Sequence, residues 1–415
     1  MKLQENTMHS VRNSCRYTLF DKIYLIYIFL YANIFISPML AILPFSLWKL
    51  LTCIAFFLLF VSYTKGYYVN KLYVLLFIFT VIMSSITAIY YQDINPVTNN
   101  MAFLLVLVLF VFFNEKYINP FIDYSTIFIC LVIIGAYIGF IYAFVGGSPQ
   151  FQYIGPEGRL HYFYLTTSVP ANAVVGRFIR PGGIYDEPGA LSGFICQICL
   201  LRVLFKKNDK LTFLIMIAGL ITFSLFHLII VLCFFAYYLI EYRRKKDAII
   251  FISFITILIL GSVIVFNDAV NYFLFSRLRL NPETGRLAGD TRTHMMLSTL
   301  ELLNSRTFFW GIGKDVYYNP INYIKLNDNP LTLLVKYGVF VKWYYYVFII
   351  IIFIIGLIKY KYIPIYIAIC LLFLPRTFPH IISYSFYFVL FFYSVLSKLK
   401  KSDMLIDISS YSYKI

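Results

Sequence analysis

The chain has 415 residues, of which 61% are hydrophobic, 20% aromatic and 13% charged, and its mean hydropathy is +0.79. A soluble domain keeps about 25% charged residues to hydrate its surface, so this composition excludes an ordinary soluble enzyme, and it is too apolar for intrinsic disorder. The net charge of +16 invites a nucleic-acid reading, but the cations lie in short clusters between apolar runs, as membrane-topology signals do, so nucleic acid is not an expected partner.

The first twenty residues are polar and lead through Asp21-Lys22 into an apolar run, which predicts no cleavable leader. Apolar runs follow at about 22–38, 44–63, 72–91, 101–113, 122–145, 189–205, 211–223, 226–240, 248–266, 338–358, 363–375 and 381–397. The stretch 211–240 is too long for one span and is divided at Thr222-Phe223-Ser224, where a tight turn fits. The pattern predicts an all-α polytopic membrane protein of about 12 transmembrane helices, at roughly 20 residues per crossing. Residues 1–415 form a single integral membrane domain in this reading, with two long outer loops at about 146–188 and 267–330.

Cation placement sets the orientation. Lys22, Lys65, Lys71, Lys116, Arg202, Lys206, Lys207, Lys210, the run 243–246, Lys359, Lys361 and the lysines at 398, 400 and 401 all fall on one side of that layout. The positive-inside rule makes that side, with both termini, cytoplasmic. The long outer loops nevertheless carry cations, mostly arginine: Arg159, Arg177 and Arg180 in the first, and Arg277, Arg279, Arg286, Arg292 and Arg306 in the second. Arginine presents a fixed fork of donors that suits phosphate, whereas lysine is a point charge. The outer arginines therefore read as anion-binding groups. Pairing with Asp186, Glu187, Glu283, Asp290 and Glu301 in the same loops is the plainer alternative.

Several loop segments stand out. Arg180-Pro181-Gly182-Gly183-Ile184-Tyr185-Asp186-Glu187-Pro188-Gly189-Ala190 ends the first loop, and its carboxylates and proline also suit the cap of the next helix. In the second loop, Asp290 can cap a helix with Met296, Leu300 and Leu303 at helical spacing, which puts Arg292 in a first turn that disfavours a cation. Trp310-Gly311-Ile312-Gly313 and Asp328-Asn329-Pro330-Leu331 follow, then Tyr337-Gly338-Val339, and Arg376 lies in the short last loop. His227 and His294 are candidate proton carriers. Cys196 and Cys199 form a lone CxxC inside an apolar run and read as small buried hydrophobes. With no HExxH and no GxxxxGK[ST], neither a metal nor a nucleotide cofactor is expected.

The 180–190 segment resembles the one that opens the post-loop helix in Wzy-type O-antigen polymerases. Thr291-Arg292, the turn at 310–313 and the 328–339 pattern are similar to that family's second loop. The topological likeness covers the whole chain, the motifs about 60 residues of it. The resemblance implies a GT-C-like glycosyltransferase of the O-antigen polymerase/ligase superfamily in the bacterial inner membrane, with its active site facing the periplasm. The implied substrates are undecaprenyl-pyrophosphate-linked oligosaccharides. The growing chain moves onto the nonreducing end of a new lipid-linked unit and undecaprenyl pyrophosphate leaves, without metal or nucleotide. A chain-length regulator and a flippase of the same pathway are the implied protein partners.

Leaving-group charge must then be stabilised, for which Arg180 and Arg292 are the leading candidates, with Arg177, Arg277, Arg279, Arg376 and His294 in substrate binding. Glu187 is the first choice of base and Asp328 the second, while Tyr185 and Trp310 suit sugar stacking. Two alternatives remain. The first is an O-antigen ligase or another bacterial polysaccharide polymerase; a ligase shares the layout but usually presents a histidine where this chain has Asp328-Asn329. A lipid-linked oligosaccharide flippase would carry its arginines mid-helix and needs no long outer loops.

Overall fold

The computed structural model describes residues 17–34, 69–155, 158–207, 209–242, 267–276, 279–280, 282, 285, 291–312, 329–359, 362–374 and 381–411. The protein is mostly helical, and three of its helical segments are long and apolar enough to cross a membrane: Lys71–Tyr91, Glu115–Phe144 and Thr332–Ile358. In chain order the helices are α1 (Leu19–Asn33), α2 (Lys71–Tyr91), the short α3 (Asn95–Thr98), α4 (Met101–Val111), α5 (Ile118–Phe144), α6 (Pro188–Leu204), α7 (Asp209–Ala218) and α8 (Leu225–Tyr242). Then come the short α9 (Asn267–Val270), α10 (Thr291–Glu301), α11 (Ser305–Trp310), α12 (Thr332–Ile358), α13 (Ile363–Phe373) and α14 (Ile382–Tyr411). The apolar runs at 44–63 and 248–266 lie outside the described residues; the others each fall on a helix, although α12 begins six residues before its run and α14 continues to Tyr411, well past 397.

The break expected within 211–240 is present. A 3-10 turn at Gly219–Thr222 ends at Phe223, whose φ of 46° turns the chain before α8 begins. α12 passes through Gly338 with a kink, at φ 74°. The 27 residues of α5 span about 40 Å at 1.5 Å per residue, more than a hydrocarbon core of about 30 Å.

Helix ends meet in two groups. At one, Thr18 and Asp21 form a reciprocal capping box for α1, and the same Asp21 carboxylate accepts from Lys116 Nζ at 2.8 Å and Tyr117 OH at 2.6 Å. Lys207 pairs with Asp123 at 2.8 Å in the same way. At the other, Tyr91 OH donates to Gly311 O at 2.7 Å, and Lys342 Nζ donates to Asn99 O at 2.9 Å and to the Asn100 side chain. Lys342 is fully buried, a cost a membrane helix accepts only when polar groups surround the charge. Asn100 completes the cluster by donating to Ser84 Oγ at 2.8 Å.

The all-α expectation needs correction in the first long loop. Residues Phe151–Ile154 (β1), Leu160–Tyr164 (β2) and Thr167–Pro170 (β3) form an antiparallel sheet in the order β1-β2-β3, followed by a two-stranded hairpin of β4 (Val174–Val175) and β5 (Phe178–Ile179). The aromatic and β-branched residues here suit a pleated surface half covered by protein. Tyr164 and Val169 pack with Ala143 at the end of α5, and the approach depends on Gly139: a Cβ there would lie 2.3 Å from Thr167 Cγ2 and 2.7 Å from Tyr164 O. The other face carries two stacked cross-strand pairs, Phe151 on Phe163 and Tyr153 on His161, with ring centroids 4.7 and 5.0 Å apart.

Candidate functional site at the first-loop sheet

Backbone bonds join the sheet to the 180–188 segment. Ser168 N donates to Gly183 O at 2.7 Å, Gly182 N donates to Ser168 O at 2.8 Å, and Gly183 N donates to Thr167 Oγ1 at 2.8 Å. Gly182 admits this close passage, since a Cβ would lie 2.8 Å from Tyr185 O and 3.0 Å from Ser168 O. The segment then delivers Asp186 and Glu187 to the start of α6, against the second face of the sheet.

Glu187 occupies the N-cap position of α6 with extended backbone, and Pro188 begins the helix as expected. The capping expectation is corrected for the side chain, which makes no cap hydrogen bond. Its carboxylate is instead hydrogen-bonded by Arg159 Nη1 from the turn between β1 and β2. This is the ion pairing weighed as the plainer reading of an outer arginine, and it links the sheet to the helix. Near it, Tyr153 OH and Ser168 Oγ are 2.7 Å apart. Burial holds the Tyr153 hydroxyl above its ordinary range, opposed by the Ser168 bond and assisted by the charge of Asp186. Burial pushes the His161 imidazole below its ordinary value, opposed by Glu187 and assisted by Arg159.

Arg180 lies at the far end of the segment. Its Nε donates to Thr222 O at 3.0 Å, in the turn between α7 and α8, and its guanidinium lies 5.0 Å from the centroid of the Phe273 ring. Phe273 belongs to the second long loop and packs on Phe178 of β5. The two long loops therefore meet at Arg180.

The other expected residues are more scattered. Arg177 is exposed in the turn between β4 and β5, and Arg279 is exposed after α9. Thr291 opens α10 as the periodicity predicts, so Arg292 and His294 fall in its first turn and a half; their side chains are outside the description, and Arg277, Asp328 and Arg376 lie outside the described residues altogether. Tyr185 is not on the loop surface: it is fully buried, stacks on Phe194 at 4.6 Å, and its hydroxyl donates to Asn33 O at 3.4 Å. It anchors the segment in the helical core. Trp310 stacks on Tyr90 at 4.3 Å, so one ring face is already covered.

His227 is a structural hydrogen bonder. Its Nε2 donates to Met216 O at 2.8 Å, which leaves Nδ1 to accept from Ser192 Oγ at 3.2 Å. Cys196 and Cys199 are free and buried, as expected of small hydrophobes. Among the described residues no group of three or more His, Cys, Asp and Glu is arranged to hold a metal ion. Sequence reasoning missed His161, Tyr153 and Ser168. The signal available was the aromatic-rich run Tyr162-Phe163-Tyr164 beside Leu160-His161, whose side chains favour a strand, in which His161 and Phe163 share one face.

No protein-family model matches the chain, and no curated protein sequence matches it.

Proposed function

We propose that the chain is a polymerase of lipid-linked oligosaccharide repeat units. In this reading it transfers a growing glycan from undecaprenyl pyrophosphate to the nonreducing end of the next lipid-linked unit and releases the pyrophosphate carrier. It works in the bacterial inner membrane with both termini cytoplasmic and the sheet-bearing loop in the periplasm. The observation that carries the reading is the meeting of both long loops at Arg180, whose guanidinium is held by Thr222 O and Phe273 at the outer ends of apolar helices. A departing pyrophosphate develops negative charge, and a preorganised guanidinium on its side of the bilayer stabilises that charge without reorganisation. Arg292 is the second arginine proposed for the same pyrophosphate, placed at a helix start where its charge opposes the macrodipole and a bound anion would remove the conflict.

Support for the sidedness comes from the two groups of helix ends. Asp21, Lys116, Asp123 and Lys207 pair among themselves, and all belong to segments that the cation pattern assigns to the cytoplasm. Tyr91, Asn99, Arg180, Thr222 and Gly311 interact with residues of segments assigned outside. The flippase alternative is disfavoured by Arg180 standing in a folded loop rather than mid-helix. The deciding experiment is the surface-glycan ladder of a strain lacking the gene. One repeat unit on the lipid core supports the polymerase, whereas polymer left on its carrier with none on the core means a ligase.

A further inference from the structure

Glycosyl transfer to a hydroxyl needs a group to accept the hydroxyl proton. The sequence favours Glu187 for this role, but its carboxylate is already engaged by Arg159. The residue behind it has an open nitrogen. His161 is on the middle strand of the sheet and is 3% exposed, and its Nδ1 is buried with no hydrogen-bond partner among the described residues. A buried polar atom left unbonded in a folded protein calls for an explanation, and a catalytic role is one of the few available. The ring is held in place by stacking on Tyr153, whose hydroxyl is fixed by Ser168. A glycine at 155 lets the turn pass close over the opposite edge of the ring, since a Cβ there would lie 2.8 Å from Nε2. Glu187 is within electrostatic reach and favours a positive charge on the ring, against burial and Arg159.

We propose that His161 takes the proton of the sugar hydroxyl that attacks the donor, with Glu187 balancing the imidazolium that forms. The role rests on the glycosyl-transfer reading above. The hydroxyl oxygen bonds to the donor's anomeric carbon, and the bond from that carbon to the pyrophosphate oxygen breaks. The pyrophosphate departs with the electron pair, and the hydroxyl proton goes to a ring nitrogen of His161. Burial keeps the resting ring neutral and able to accept; the carboxylate beside it stabilises the charged state once the proton arrives, the division of labour between a base and its orienting carboxylate. Three polar or charged groups face the ring: Tyr153 from β1, Arg159 from the β1–β2 turn and Glu187 from the start of α6. Because the neutral ring is the active form, kcat falls as pH drops through the pKa of His161, which lies below the ordinary value of 6.5.

The test uses purified full-length protein and the lipid-linked oligosaccharides extracted from the host strain that lacks the gene, with kcat and KM measured across pH. His161→Phe keeps the stack on Tyr153 and removes the nitrogens; His161→Gln keeps a polar side chain. Both are expected to lose about 10²–10⁴ in kcat with KM little changed, and to lose the acidic limb of the wild-type profile. Glu187→Gln should shift that limb to lower pH. Wild-type kcat in His161→Phe would reduce His161 to a packing partner and overturn the proposal while leaving the polymerase reading intact. Should His161→Phe not fold, a wild-type kcat without any acidic limb overturns it equally. Wild-type protein that lengthens none of these oligosaccharides overturns the polymerase reading, and the proton role with it.

Discussion

Gly311 and Gly338 meet backbone to backbone. A Cβ on Gly338 would lie 2.3 Å from Phe309 O, and one on Gly311 would lie 2.9 Å from the Gly338 nitrogen. Both residues have positive φ, 85° and 74°, and Ile312 N donates to Val335 O at 2.8 Å beside them. The contact docks α11 on the kinked start of α12 and sets Trp310 against Tyr90 and Phe340.

Gly338→Ala is therefore expected to be strongly destabilising. Overpacking costs about 1–3 kcal/mol and left-handed backbone on a residue with a Cβ about 1–2 kcal/mol more. Gly193 on α6, where a Cβ would meet nothing within 4 Å, is the matched control; Ala there should leave stability unchanged or raise it by about 0.5–1 kcal/mol. Thermal unfolding in detergent reads both. Equal Tm values for the two variants would mean that the glycine contact does not exist.

At Arg180, lysine keeps the charge and loses the fork. One charge-assisted bond is worth about 1.5–3 kcal/mol, so Arg180→Lys should slow polymerisation roughly ten- to a hundredfold, and Ala should slow it further. Phe273→Leu should cost less by itself and be non-additive with Arg180→Lys, because each shapes the same contact. Strict additivity in the double-variant cycle would separate the two loops functionally.

The Arg159–Glu187 pair is half exposed, so it contributes only about 0–1 kcal/mol to stability. Glu187→Gln should thus reach normal levels in the membrane with a lowered but measurable turnover. The charge swap Arg159→Glu with Glu187→Arg rebuilds the pair in reverse, and turnover should stay low. Recovery of turnover in the swap would assign the pair to holding the sheet rather than to chemistry.

Orientation is read by single cysteines in a cysteine-free background. Ser148 precedes the sheet and Asn114 precedes α5, and both are exposed. Ser148→Cys is expected to react with an impermeant thiol reagent on intact spheroplasts, and Asn114→Cys only after lysis. The reverse pattern would invert the topology and move the sheet to the cytoplasm.

Much of the helical frame was legible in the sequence. Runs such as 72–91 and 122–145 are long and nearly free of charge, and an apolar run of that length has few stable alternatives to a helix in lipid. The turn at Thr222-Phe223-Ser224 was legible as well, because the run around it is too long for one span. The cap at Glu187-Pro188 was legible only in its backbone, since nothing in the local sequence says that Arg159 will claim the carboxylate.

What the sequence determined by itself was the class of protein, the division into apolar helices and polar loops, and the concentration of arginines in two of those loops. These depend on composition and on periodicity over a few turns. Tertiary structure alone decided which side chains share a site. Tyr185 reads as a surface aromatic until Asn33 and Phe194, remote in sequence, bury it. His161 reads as one aromatic-flanked residue among many until antiparallel pairing sets it opposite Tyr153 and chain reversal brings in Glu187. Arg180 meets Phe273, far along the chain, only because the two long loops fold against each other. Such contacts are fixed by strand register and helix packing, which are properties of the whole chain and have no local signature.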